Sequence, residues 1–326
     1  MSSLIGLKRC HFAFLSAPNV DSEAGPPLKF GIPGAAVIAP AALITPAKSM
    51  QTDIKRAEEY AKKYGISNMG EKPDIKLLDD PSIDCIYNPL PNGLHYEWTM
   101  KALAAGKHVL PEKPSVDTAE EATPNPNSTT RRMFDLAERK CLILFEVFHY
   151  RFHPAIQRAK AVLDSVGAIK SIYATLGFPR CIIGGDNYIR VKYDLGGGAM
   201  MDYGSHQTRR PSKRRGFIPP WPDITARVTC ERGSVEPFNF VMPVIYHSIT
   251  VCLEGGTVRT EEAYIFPKES RRKGEDWWTT YRYQLGAFVD KVRGRTPHMW
   301  LDRDDAVANM EWIEKIYDAS GVGLRP

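Results

Sequence analysis

Short apolar runs alternate with segments of helical period along the first half of this chain. That alternation restricts it to a parallel sheet covered by helices on both faces, a doubly wound α/β unit. Residues 28–32 form a strand-like run, followed by a tight turn and a helix start through 34–39. A helix follows from a cap at Thr52 or Asp53, with Ile54, Ala57, Ala61 and Tyr64 on one face. Further strands are expected at 83–87, 107–110 and 142–147, and helices at 96–105, 118–121 and 131–140. Gly106 reads as a C-cap. After Pro154 the pattern changes: a helix at 155–164, then strand-like runs at 170–178, 225–231, 238–242, 248–253 and 258–266. Helices at 277–292 and 303–319 close the chain. Antiparallel strands with helices at the ends predict a separate α+β domain. The expected division is an extension at 1–28, a dinucleotide-binding domain at 29–152 and an α+β domain at 153–326.

The 326 residues suit two domains, and 43% apolar with 25% charged residues is ordinary for a globular chain. A formal charge of +5 is too small to argue for nucleic acid as the main partner. The basic run from Arg209 to Arg215 reads as a solvated loop. The six cysteines form no Cys-x-x-Cys pair and read as buried free thiols. No apolar run reaches the ~20 residues a membrane span needs. The order of charge in the first residues is wrong for a secretory signal. A cytoplasmic chain with no membrane partner is expected, a mitochondrial leader being the alternative.

Several runs could carry chemistry. In the turn, only Gly34 occupies a glycine position of G-x-G-x-x-G; Ala36 and Ala39 take the others. Backbone amides at such a helix start can hold a pyrophosphate, although a generic turn reads equally well. Asp53 stands at the spacing of a ribose-binding acid but reads better as a helix cap. Asn88-Pro89-Leu90-Pro91-Asn92 is a stiff loop just past a strand end, where ligands of such sheets bind. Glu112-Lys113-Pro114 follows the next strand end, where a lysine can donate a proton to a substrate oxygen or simply face solvent. Asp202 and His206 are four residues apart and share a helical face. Glu146, His149 and His153 invite a metal reading, but the run leaves a strand and meets a proline, so no metal is expected.

Taken together these runs resemble the glucose-fructose oxidoreductase / inositol dehydrogenase / rhizopine-catabolism family. They look most like its branch of fungal NADP-dependent D-xylose dehydrogenases and dimeric dihydrodiol dehydrogenases. The carrying residues lie at 30–39, 87–96, 106–114, 146–154, 194–202 and 277–290. The resemblance implies a Rossmann-like doubly wound parallel sheet followed by an α+β domain with an open, mostly antiparallel sheet. It implies hydride transfer between a sugar such as D-xylose, or a cyclic trans-diol, and NADP, with NAD as the alternative. Lys113 matches the family's lysine between nicotinamide and substrate, and Asp202 and His206 match the residues that complete the site. The cofactor-contacting set it implies is Gly34, Ala36, Val37, Ile38, Asn88, Pro89, Asn92, His95, Glu112 and Lys113. Arg151 and Tyr188 would meet substrate, and a homodimer would form through the C-terminal sheet.

The chain departs from the family twice. The family's second Rossmann strand should run between Met50 and Asp53, and none is legible there. After His206 a basic, unpatterned stretch at 207–217 stands where the family has a helix and sheet strands. A non-catalytic nucleotide-binding regulator, or an inactive truncated variant, is therefore the alternative expectation.

Overall fold

The computed structural model describes residues 26–33, 38–49, 76–115, 129–177, 223–270 and 274–320. The parallel sheet contains β1 (Phe30–Gly31), β2 (Cys85–Asn88) and β3 (His108–Pro111), in that order. Phe30 pairs with Cys85, and Ile86 with Val109. Where a strand was expected at 142–147, an extended segment lies beside β3 and forms a single parallel bridge, Val109 to Leu144: Val109 donates to the Ile143 carbonyl (2.8 Å) and accepts from Phe145 N (3.0 Å). Val147 N then donates to the Pro111 carbonyl at 3.0 Å, so pairing runs to the carboxyl end. Among the described residues no strand flanks the other edge of β1. The segment after Met50, where the family's second strand was missed, lies outside the described residues.

Successive side chains of a strand face opposite sides of a sheet, and these strands are apolar on both. Tyr87, Leu110, Phe145 and Val147 point to one face. They pack there with α1 (Thr45–Ser49), the helical turn at Pro40–Ile44 and α6 (Thr280–Val292). Ile86, Val109 and Leu144 point to the other. That face is covered by α2 (Lys76–Asp79), α3 (His95–Ala104), α4 (Thr129–Arg139) and α7 (Arg303–Ser320). The last two helices follow the antiparallel sheet in sequence, yet Phe288 and Ile313 lie in the two cores of the parallel sheet. Gly106 has φ 78°, the left-handed conformation that a glycine C-cap supplies.

The second sheet has five antiparallel strands in sequence order: β4 (Ile169–Gly177), β5 (Asp223–Cys230), β6 (Gly233–Phe238), β7 (Ser248–Leu253) and β8 (Val258–Glu261). Helix α5 (Pro154–Val166) packs Ala159, Val162 and Val166 on Val228, Val235, Ile249 and Val251 of its inner face. The opposite face carries polar side chains, such as the Arg227–Glu236 pair and the Thr250–Thr260 contact. Tyr173, Ile169 and Val258 are exposed at its β4 and β8 edges.

Three local expectations need correction. The third strand of this sheet lies at 233–238, not 238–242. A turn at Glu231-Arg232 feeds Gly233, whose φ of 150° and close approach to the Cys252 carbonyl exclude a side chain. The more apolar residues that follow turn away at Asn239, whose φ is 51°. Helix α6 starts at Thr280 rather than Trp277, because the Thr279 side chain caps it by accepting from Arg282 N (3.1 Å). Cys141, expected to be buried, is exposed in a left-handed position just past α4.

Candidate active site at the carboxyl edge of the parallel sheet

β2, β3 and the extended segment at 142–147 end at one edge, so the segments leaving them are neighbours. The Glu112 N–H donates to the Asn88 carbonyl at 3.0 Å, linking the first two of these loops.

The loop after β2 is closed upon itself. Asn88 is 0% exposed, and its amide donates to the His95 carbonyl (3.1 Å) and Thr99 Oγ1 (3.2 Å). Its side-chain oxygen accepts from Leu90 N at 3.4 Å. Pro89 is buried, and Asn92 opens the single helical turn that leads into α3. His95 is also 0% exposed, with Nδ1 2.6 Å from the Pro114 carbonyl and Nε2 2.6 Å from the Leu90 carbonyl. The ring thus joins the loops after β2 and β3. Asn88 and His95 were expected to contact cofactor; their side chains are engaged by the protein backbone and by Thr99.

The loop after β3 is held at three points. Tyr87 Oη donates to Glu112 Oε1 (2.7 Å), His95 meets the Pro114 carbonyl, and Ser115 N donates to Glu146 Oε1 (2.7 Å). Lys113 stands between these anchors, half-buried, at a cis Lys113–Pro114 bond. Its ammonium charge acts on both Glu146 and His149.

Glu146 is 3% exposed, and its second oxygen is buried without a hydrogen-bond partner. Burial pushes its carboxyl up to about 7; the bonding to Ser115 and the charge of Lys113 pull the other way, and Glu112 adds to the rise. Burial pushes His149 down to about 3, with the charge of Lys113 acting in the same direction, so its imidazole is neutral. Its Nδ1 lies 2.8 Å from Thr280 Oγ1, and the ring stacks on Tyr281 at 4.0 Å between centroids. An ammonium held at a sheet edge beside a carboxyl and a neutral imidazole can hydrogen-bond a substrate oxygen and exchange a proton with it.

Ile38 sits at the helix start beyond β1, as expected, while Gly34, Ala36 and Val37 lie outside the described residues. So do Asp53, Tyr188, Asp202, His206 and the basic run from Arg209 to Arg215. Arg151 Nη2 lies 3.1 Å from Asp305 Oδ1 of α7. His153 caps α5, its Nδ1 accepting from Ala155 N at 3.2 Å. Among the described residues no cluster of His, Cys, Asp or Glu is suited to a metal ion. Sequence reasoning did not find Glu146 as the brace of the lysine loop, nor Tyr87, Ser115, His149 and Thr280 around it. One signal was available: Glu146 is a lone carboxylate in the apolar run Leu142-Ile-Leu-Phe-Glu-Val-Phe148.

The residues fit a dinucleotide. Strand ends converge at one edge, as such ligands require, and a buried carboxyl oxygen there lacks a partner. Fold and edge together define a Rossmann-type nucleotide-binding protein. The chain belongs to the oxidoreductase family with an NAD-binding Rossmann fold, that of glucose-fructose oxidoreductase and inositol dehydrogenase, which matches at residues 35–145. It is 30% identical over 308 residues to D-xylose 1-dehydrogenase (NADP(+)) 2 of Haloferax volcanii, covering 83% of this chain and 88% of that one. Its fold is similar to that of an inositol dehydrogenase homolog from Azotobacter vinelandii complexed with NAD+ (TM-score 0.69, 17% identity, 93% of this chain and 98% of that one). It is also similar to that of a 3-ketoreductase from Actinomadura kijaniata in complex with NADP and TDP-benzene (TM-score 0.67, 21% identity, 90% and 98%). Among the described residues no helix is long and apolar enough to cross a membrane.

Proposed function

We propose that this chain is an NADP-dependent dehydrogenase acting at a hydroxyl-bearing carbon of a D-xylose-like sugar or a cyclic trans-diol, with NAD as the alternative cofactor. The observation that carries this reading is the three-point anchoring of the Lys113 loop at the carboxyl edge of the parallel sheet. The kinship with an NADP-dependent xylose dehydrogenase supports the choice of substrate and cofactor.

In this reading Gly34, Ala36, Val37 and Ile38 hold the pyrophosphate at a helix start. Asn88, Pro89, Asn92, His95 and Glu112 shape the wall behind the nicotinamide. The bound nicotinamide supplies the hydride acceptor or donor. Lys113 holds the substrate oxygen and moves its proton, Asp202 and His206 complete the site, and Arg151 and Tyr188 orient the substrate. Residues 29–152 carry the nucleotide. Residues 153–326 carry substrate contacts and a homodimer interface on the outer face of the antiparallel sheet, and the dimer works in the cytoplasm. Sedimentation of the chain with and without an Arg227→Glu substitution tests the pairing; a monomer under both conditions refutes it.

The activity itself is tested by turnover of a pentose and diol panel with each cofactor, beside a Lys113→Ala control. NADP-linked turnover that the control lacks supports the dehydrogenase. Nucleotide binding without turnover of any panel member points instead to a non-catalytic regulator.

A further inference from the structure

Glu146 is the one buried carboxyl in direct contact with the lysine loop among the described residues, and the reaction as read above does not use it. It projects from the extended segment at 142–147 and accepts the Ser115 amide, two residues beyond Lys113, at 2.7 Å. Its other oxygen is buried and unpartnered. A carboxyl deprived of water and given one hydrogen bond is a strained ion, unless a cation lies near or a proton joins it.

We infer that Glu146 is a positioning residue for Lys113: it fastens the lysine loop to the neighbouring extended segment, and its charge state sets the field felt by the ammonium during turnover. The inference rests on the dehydrogenase reading of Lys113 and adds a second ionising group to it.

The charged groups that act on this carboxyl are Lys113 and Glu112, both on the loop it holds. His149, three residues further along the same segment, is neutral and adds no charge. With burial raising the carboxyl to about 7, it exchanges its proton with solvent in the neutral range. When the proton leaves, a negative charge appears beside the Lys113 ammonium and the Ser115 hydrogen bond becomes charge-assisted. No oxidant or second reactant is needed: one O–H bond breaks and water takes the proton.

The test uses the full chain and the isosteric Glu146→Gln variant. In the wild type the Ser115 amide resonance and the Lys113 Cε resonance are expected to move together, with a midpoint near 7, and neither does so in the variant. The pH profile of kcat is expected to show a limb at that midpoint, which disappears in Glu146→Gln. There kcat falls about 10-fold, a loss at the low end for a group that acts through a catalytic one, and KM stays nearly constant. Glu146→Asp, which keeps the ionising group, should restore a limb at a displaced pH. A Ser115 or Lys113 resonance that stays flat through neutral pH overturns the inference, as does a Glu146→Gln enzyme that keeps the wild-type limb and rate. Absence of wild-type turnover, or full activity in Lys113→Ala, would sink the dehydrogenase reading instead. The resonance titration decides the placement of Glu146 in either event.

Discussion

The loops that leave β2 and β3 are adjacent and bonded to each other, yet they spend their polar groups in opposite ways. The first turns its amides and carbonyls inward: Asn88 and His95, both fully buried, are braced by one another's segment, by Thr99 and by the Leu90 and Pro114 carbonyls. The second is anchored at Glu112, Pro114 and Ser115, which leaves Lys113 half-buried among a carboxyl and a neutral imidazole. A rigid frame and a reactive group have been assigned to neighbouring segments. Rigidity in the first makes the position of the second reproducible.

That division predicts opposite mutational behaviour on the two sides. The largest effect belongs to Lys113→Ala. Turnover should drop about 10^3-fold, as for loss of a general acid–base group, while the melting temperature barely moves. A large loss of stability here would erase the distinction. Next comes the pH dependence set by Glu146, whose carboxyl sits at about 7 in the fold against 4.5 without it. At this site the folded chain therefore binds more protons between those values, so the carboxyl's own contribution to stability falls as pH rises from about 4.5 to about 7. His149, held at about 3 against 6.5 unfolded, acts in the opposite sense in both proteins, so the wild type should lose on the order of 3 kcal/mol relative to Glu146→Gln across that window, read from denaturant titrations of the pair.

Asn88→Ala sharpens the frame side of the comparison. It strips partners from the His95 carbonyl and Thr99 and should cost about 2 kcal/mol by denaturant unfolding, with kcat of the folded fraction nearly intact. A variant that keeps its stability and loses its rate would move Asn88 into the reactive half. The smallest expected effect is that of Tyr87→Phe, which removes one 2.7 Å bond to Glu112. A cost of about 1 kcal/mol and a modest rise in KM are expected, both measurable on purified protein.

Much of this arrangement was legible in sequence. The runs around Ile86, Val109 and Leu144 place apolar residues at successive positions (Cys85-Ile86-Tyr87, Val109-Leu110, Leu142–Phe145), which marks segments covered on both faces, and they lie side by side as expected. The loops after β2 and β3 announced themselves through prolines and a lone Lys at strand ends. What escaped depended on distant partners or on turn geometry. Apolar density pointed to 238–242 as a strand, whereas the hairpin turn at Glu231-Arg232 fixed the pairing earlier, at 233–238. Glu146 looked like a metal candidate because histidines follow it in sequence. Its actual partner is a backbone amide 31 residues away, which no local pattern encodes. The Thr279 cap moved the start of α6 past two tryptophans that helical periodicity had absorbed.

The return of α6 and α7 to the parallel sheet has a consequence for how the chain is made. The nucleotide-binding sheet is translated first, but Phe288 seals one of its faces and Met310 and Ile313 seal the other. The part of each face that these two helices cover stays greasy and open on the ribosome until the final stretch has emerged. A nascent chain halted near residue 270 would be a client for chaperones rather than a half-finished enzyme.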